Sequence, residues 1–215
     1  MRTYLQMVNH VLIEMREDTV SDFTDEYVAL VAQMVNQAKQ QVEDAHTSWS
    51  ALLTDIPIVT VQGQANYSLT NTQNRATIDS VVNTSTPGLL REASRRWINN
   101  QNLLGSSPES VPAYWTNNGV DSNGDSIITL FNTPSDTFNI TVSAYVRPPE
   151  LEEVTDTVLI PHVPIQDLAV AFAKRERGEV GGTTTAEYFE LAKRSLSDAI
   201  AYDSARNDEE DDWFV

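Results

Sequence analysis

The chain has 215 residues, no cysteine, and 14 Lys and Arg against 31 Asp and Glu, for a formal charge of −17. Without cysteine there is no disulfide scaffold, no thiol catalysis and no cysteine-held zinc or iron–sulfur centre. The acidity disfavours specific DNA or RNA binding, whose affinity comes largely from clustered cations that release counterions; it does not prevent a protein from standing beside DNA without adhering to it.

Residues 3–16 read as a helix. Thr3 and Gln6 have capping-box spacing, and Tyr4, Leu5, Val8, Val11, Leu12 and Met15 recur at helical intervals. This opening is unlike a signal peptide, and the apolar runs are too short for a membrane-spanning helix, so a soluble product that stays where it is made is expected. Thr24 then offers an N-cap, with Asp25 and Glu26 in the first turn, where the helix dipole favours negative charge. From there Tyr27, Leu30, Met34, Ala38, Val42, Ala45, Trp49 and Leu52 form one apolar seam over about 29 residues, roughly 43 Å of helix.

At Ile56-Pro57 the period changes to alternation. Residues 58–61 and 66–69, joined by Gln62-Gly63-Gln64-Ala65, predict a hairpin. Further strands are expected at 77–82, 113–116 and 126–132. The clearest spans 137–147, where Phe138, Ile140, Val142, Ala144 and Val146 alternate with polar residues as in a half-buried antiparallel strand. Asp121, Asn123 and Asp125 space their oxygens like the start of a calcium loop. The glycine stands fourth instead of sixth, however, and no Glu closes the loop, so a tight β-turn is the better reading.

Two helices follow. Pro164 fits a first helical position, Ile165, Leu168, Ala169 and Phe172 form one face, Lys174, Arg175 and Arg177 suit the last turn, and Gly178 suits the C-cap. After a Gly181-Gly182 connector, Thr184 and Glu187 make a second capping box, and Tyr188, Leu191, Ala192, Leu196, Ala199 and Ile200 form the matching face of an antiparallel partner. The expected fold is α+β, mainly α: a four-helix bundle with an inserted small antiparallel β module and a C-terminal extended arm. Its parts are the N-terminal helical pair (1–55), the β-rich insert (56–150), the C-terminal helical hairpin (151–206) and an acidic aromatic arm (207–215).

Candidate chemistry is sparse. His10, His46 and His162 are not at metal-pair spacing, and no nucleophile elbow or phosphate loop is present; no catalytic residue, metal or cofactor is expected, and the chain reads as a non-enzyme. Two features point instead to contacts with other proteins. Arg91, Arg95 and Arg96, close to Trp97, suit an acidic neighbour, including the next copy of the chain. The run Asp208, Glu209, Glu210, Asp211, Asp212, Trp213, Phe214 and Val215 places interface-type aromatics at the end of an acidic stretch, the composition of a docking arm.

The order of elements resembles the head-to-tail connector adaptors of tailed bacteriophages, the head-completion and tail-tubular-A-like proteins that form a ring beneath the portal. The resemblance is carried by Thr157-Val158-Leu159-Ile160-Pro161-His162-Val163-Pro164 running into Leu168-Ala169-Val170-Ala171-Phe172-Ala173, and by Ala186-Glu187-Tyr188-Phe189 opening the last helix. Tyr4-Leu5-Gln6-Met7-Val8-Asn9, Val35-Asn36-Gln37-Ala38-Lys39 and Trp49-Ser50-Ala51-Leu52 also fit, so the pattern covers nearly the whole chain. It implies a virion structural protein at the head–tail interface, made and assembled in the host cytoplasm, with no membrane partner. It further implies a twelvefold homo-oligomeric ring that contacts the portal and a tail nozzle, tube or stopper protein, and that lets genomic DNA pass without specific binding. Residues 208–215 are then expected to dock on the portal, and Arg91, Arg95 and Arg96 to form an intersubunit or tail-facing contact. Two rival readings are an acidic DNA mimic that occupies a host DNA-binding protein, and a tail or baseplate protein with Tyr114 and Trp115 exposed for carbohydrate.

Overall fold

In the computed structural model, which describes residues 1–105, 107–177 and 183–206, the chain divides into a helical unit, Met1–Ala51 with Pro148–Val215, and a β-rich unit, Leu52–Arg147. The helical unit holds α1 (Tyr4–Glu14), α2 (Glu26–Ala45), α4 (His162–Glu176) and α5 (Thr183–Ser204), while α3 (Arg95–Leu103) belongs to the β-rich unit.

Helix α1 starts on the expected capping box: the Gln6 N–H donates to the Thr3 hydroxyl at 3.2 Å, and the Thr3 N–H donates to the Gln6 side chain at 3.1 Å. Its next free N–H groups find carbonyls in the returning chain, Tyr4 donating to Asp156 O at 2.7 Å and Leu5 to Val154 O at 3.2 Å. Met7, Val8, Val11 and Leu12 are buried on the face that meets α2 and α4.

Helix α2 differs from expectation at both ends. Asp25, not Thr24, is the N-cap, accepting from the N–H groups of Tyr27 and Val28, while Thr24 is taken up by the Asp22 carboxylate. The helix stops at Ala45, where His46 is extended, so it has 20 residues, about 30 Å. Trp49 nevertheless reaches the seam by folding back: it is fully buried, and its indole N–H donates to Val42 O at 3.2 Å, one of the last-turn carbonyls that lack a helical partner. The buried stripe is Val28, Val31, Ala32, Val35, Ala38 and Val42: it coincides with the predicted seam at Ala38 and Val42 and runs one position off it before them, where Tyr27, Leu30 and Met34 are only partly covered.

That stripe also carries charge. Lys39 and Glu43 are buried and paired at 2.8 Å, and Lys39 Nζ donates as well to Pro149 O at 3.0 Å and Pro148 O at 3.3 Å. Three donors thus meet three acceptors, the condition for keeping an ammonium out of water. One turn earlier Asn36 exchanges two hydrogen bonds with the Leu151 backbone, at 2.9 and 3.0 Å. Tyr4 donates to Ala32 O at 2.7 Å, and burial first, then the charge of Glu150, pushes its phenol up to about 12.

Helix α4 has Ile165, Ala169 and Phe172 buried as expected, and also Val170, Ala171 and Ala173, because it is packed by α1, α2 and α5. Pro164 sits at its third position instead of its first. Phe172 meets Phe189 at 5.9 Å while Pro164 and Leu168 share a cavity wall with Ala192 and Leu196, so α5 runs antiparallel to α4. Arg177 joins three elements: it donates to Met15 O at 3.0 Å and to the Tyr27 hydroxyl at 2.9 Å, and it pairs with Glu17. Gly178, the Gly181-Gly182 connector, the Thr184 side chain and the arm 207–215 lie outside the described residues.

In the β-rich unit β1 (Leu53–Val59), β3 (Ala76–Asn83), β4 (Gly88–Leu89) and β10 (Asn139–Val146) form one sheet in the order β1-β10-β3-β4. A second contains β2 (Asn66–Ser68), β5 (Arg91–Glu92), β7 (Tyr114–Val120) and β8 (Ser126–Phe131) in the order β2-β8-β7-β5, and a third pairs β6 (Glu109–Ser110) with β9 (Thr133–Pro134). Ile58, Val81, Ile140 and Val142 of the first sheet share one core with Tyr67, Trp115, Ile128 and Leu130 of the second. The alternation that predicts β10 holds, with Phe138, Ile140, Val142 and Ala144 buried. The predicted hairpin of 58–61 and 66–69 does not form: β1 pairs with β10 and β2 with β8, in different sheets. Strand β1 has one strand neighbour among the described residues. The Thr60 N–H points inward to Phe138 O at 2.9 Å, so strand alternation turns the Pro57 nitrogen to the open side.

The expectation of a mainly α four-helix bundle with a small β module is therefore overturned. The described residues hold five helices and ten strands in three sheets, and Leu52–Arg147 is a second folded body with its own core. Five of its strands are two or three residues long, too short to show a period of two, which is why the sequence under-represents the sheets.

Substituting Lys39 by Ala removes the cation paired with buried Glu43, and a loss of about 3–5 kcal/mol is expected. The double substitution Lys39→Leu with Glu43→Leu should recover most of it. Urea melts of the three proteins measure both, and a single variant as stable as the parent would contradict the role given to this pair.

Candidate functional site

The three arginines all lie on the β-rich unit. Arg91 lies on β5, whose register places it beside Tyr114, and Arg95 and Arg96 are the first two residues of α3. All three are exposed, and none makes an ion pair among the described residues. Ser94 caps α3, its hydroxyl accepting from the Trp97 N–H at 3.3 Å. Cations in a first turn face the positive end of the helix dipole, so helix stability does not account for Arg95 and Arg96. Ile98, not Trp97, is the residue of α3 that points into the core. Trp97 is 38% exposed and rests on Tyr114 and Phe131, with ring centroids 5.3 and 5.1 Å away. Leu89, Leu103 and Leu104 are also exposed.

Beside this surface a cleft of 460 Å³ is lined by Asn83, Leu89, Arg91, Val111, Pro112 and Tyr114, among others. Asn83 ends β3 and is 1% exposed; its Oδ1 accepts from the N–H groups of Ser85 and Thr86, each at 3.0 Å, which builds the turn into β4. Those two donors fix the orientation of the amide, because the reverse would set NH₂ against N–H. Its Nδ2 is left with no acceptor among the described residues. An unmet buried donor costs about 1–3 kcal/mol. The other such atom, Gln166 Nε2, is on α4 and does not line this cleft.

On the helical unit the α5 residue Asp203 is 6% exposed and holds Ser50, its carboxylate accepting from the Ser50 N–H at 2.9 Å and the Ser50 hydroxyl at 2.6 Å. His46 Nε2 is 3.7 Å from the same carboxylate and 3.3 Å from the Ser48 hydroxyl. Both neighbours share one ring nitrogen, so the imidazole cannot relay a proton from Ser48 to Asp203 in the manner of a hydrolase triad. A groove of 550 Å³ near the end of α5 is lined by Leu159, His162, Val163, Tyr202 and Arg206, among others.

The Asp121 turn forms as the glycine spacing predicts. Its Oδ1 accepts from the Asn123 N–H at 2.8 Å and the Asp125 N–H at 3.0 Å, and Gly124 takes φ +86. Asp125 in turn accepts from the Thr72 and Gln73 N–H groups. Of the two aromatics that a carbohydrate-binding reading required to be exposed, Trp115 is buried at 4% and Tyr114 is half-buried. The arm residues Asp208, Glu209, Glu210, Asp211, Asp212, Trp213, Phe214 and Val215 lie outside the described residues.

A cationic and aromatic surface, a cleft with an unmet donor and a strongly acidic remainder are features of a protein that works through contacts with other proteins. The family model of the SU10 adaptor protein matches residues 2–213. The chain belongs to that family, a structural family of bacteriophage head-to-tail adaptors, and is thus a virion component. No curated protein matches the sequence. Among the described residues no helix is long and apolar enough to cross a membrane.

Burial first, then the positive charges of Arg2, the Met1 amine and His10, hold the His162 imidazole below its ordinary value of 6.5. The folded state therefore binds this proton less readily than the unfolded chain, so its contribution to stability is present above pH about 6.5 and is lost as pH falls. The melting temperature should drop between neutral pH and pH about 5, and His162→Asn should flatten that part of the profile. Asp121 and Asp156, held below the usual carboxylate range by hydrogen bonds, act in the same direction but at lower pH. Calorimetry across the range separates the two, and an unchanged slope in His162→Asn would assign the drop elsewhere.

Proposed function

We propose that copies of this chain close into a ring between the portal and the tail, twelvefold as in the adaptors it resembles, around the passage taken by the genome in packaging and ejection. What carries the reading is family membership over residues 2–213 in a chain of formal charge −17. A lumen wall of the same sign as the duplex repels it, so DNA slides without adhering. Assembly in the host cytoplasm goes with this role.

In this reading Arg91, Arg95 and Arg96 serve a contact between neighbouring copies or with the tail, where a self-repelling acidic protein needs complementary patches. The segment Asp208, Glu209, Glu210, Asp211, Asp212, Trp213, Phe214 and Val215 docks on the portal, its aromatics acting as anchors.

Deleting residues 208–215 should abolish capture of the full-length protein by immobilised portal while leaving its far-ultraviolet circular dichroism unchanged. Undiminished capture would remove the arm from the portal contact. Electron microscopy of virions should show an annulus where capsid joins tail; a vertex without one would refute the ring.

A further inference from the structure

We propose that the cleft between β4 and the 111–114 segment receives a carboxylate-bearing stretch of a second copy of this chain. The proposal rests on the ring reading and names the site through which one copy grips the next.

Asn83 supplies the first argument. Its Oδ1 is committed to the turn through Ser85 and Thr86, and its Nδ2, with two hydrogens, has no acceptor among the described residues. The atom is closed to water in the isolated chain, but its residue lines the cleft, so an acceptor meets it only as the cleft wall yields around the entering segment. A carbonyl or a carboxylate oxygen fits that need, since a carboxylate is acceptor-only and an ammonium or guanidinium offers only more donors.

Charge narrows the occupant. Arg91 lines the same cleft, and Arg95 and Arg96 open α3 shortly after β5, all exposed and without ion pairs among the described residues. A guanidinium receives a carboxylate bidentately. A second copy brings 31 Asp and Glu, a polyanion that meets this face at high local concentration once copies are held side by side. Leu89 and Val111, both exposed, form apolar walls that are covered when a chain segment enters. One inserted stretch thus satisfies the amide, neutralises Arg91 and covers apolar surface.

The test uses assembled virions carrying photo-reactive benzoylphenylalanine in place of Leu89, irradiated and analysed by mass spectrometry. The expected product joins two copies of this chain through an Asp- or Glu-bearing peptide. A cross-link to the portal or a tail protein, to a peptide without a carboxylate, or to nothing would overturn the proposal. Asn83→Asp keeps the Oδ1 acceptor and the turn but replaces the donor by a carboxylate oxygen, and Arg91→Glu reverses the surface charge without touching the core. Each should cut the copy-to-copy product about tenfold or more. The melting temperature holds in Arg91→Glu, whereas Asn83→Asp buries a carboxylate and lowers it; parental yield in both would refute the site. Micrographs of the same particles judge the ring separately. An annulus with no such cross-link fails the cleft alone, and a cross-link without an annulus fails the ring alone.

Discussion

The helical unit depends on an ammonium that water does not reach. Lys39 lies in the buried stripe of α2, and a charge there is tolerable only if every donor is met. Glu43 provides one acceptor, and the carbonyls of Pro148 and Pro149 provide the others. Two consecutive prolines do not continue a helix, and both of their carbonyls accept from Lys39 Nζ. The pair therefore fixes the point where the chain returns to the helical unit, and Asn36 fixes Leu151 just beyond it. At the point of departure Asp203 does the equivalent for Ser50. A chain that leaves a helical body and comes back some hundred residues later needs both ends secured, and here buried polar side chains secure them.

How much of this was legible in the sequence follows the length of each signal. The capping box of α1, the alternation of β10 and the glycine-governed turn at Asp121 are local rules written in adjacent residues, and all three hold. The length of α2 was not legible, because Trp49 keeps the helical spacing from Val42 although it reaches that contact by a reversal after His46. Tyr27, Leu30 and Met34 suggested a stripe one position away from the real one, since larger side chains can lie half-covered beside a valine-lined seam. The β-rich unit is under-represented in the sequence because β4, β5, β6 and β9 are only two residues long each, and β5, β6 and β9 have partners distant in the chain. The arginines stood out by composition alone. Asn83 did not, since an Asn before a turn reads as turn chemistry, and only its unmet nitrogen distinguishes it.

The two units distribute their polar groups differently. In the helical unit buried charge is spent internally, on Lys39 with Glu43 and on Asp203 with Ser50. In the β-rich unit Arg91, Arg95 and Arg96 stay outside and unpaired among the described residues, next to exposed leucines and Trp97. Membership in an adaptor family gives that asymmetry a context, because a protein that bridges others needs a self-consistent body and a surface held in reserve.

Pro57 bears on what happens when many such bodies crowd together. Strand β1 ends its sheet with seven residues, among them the exposed Leu53 and Val59. A bare edge of that length is a template on which a foreign strand can zip, the first step toward fibrous precipitate. With the ring nitrogen of Pro57 turned outward, the row of hydrogens that such a strand would need is broken at its middle. Unwanted growth at this margin is thereby halted without any cost to the pairing on its inner side.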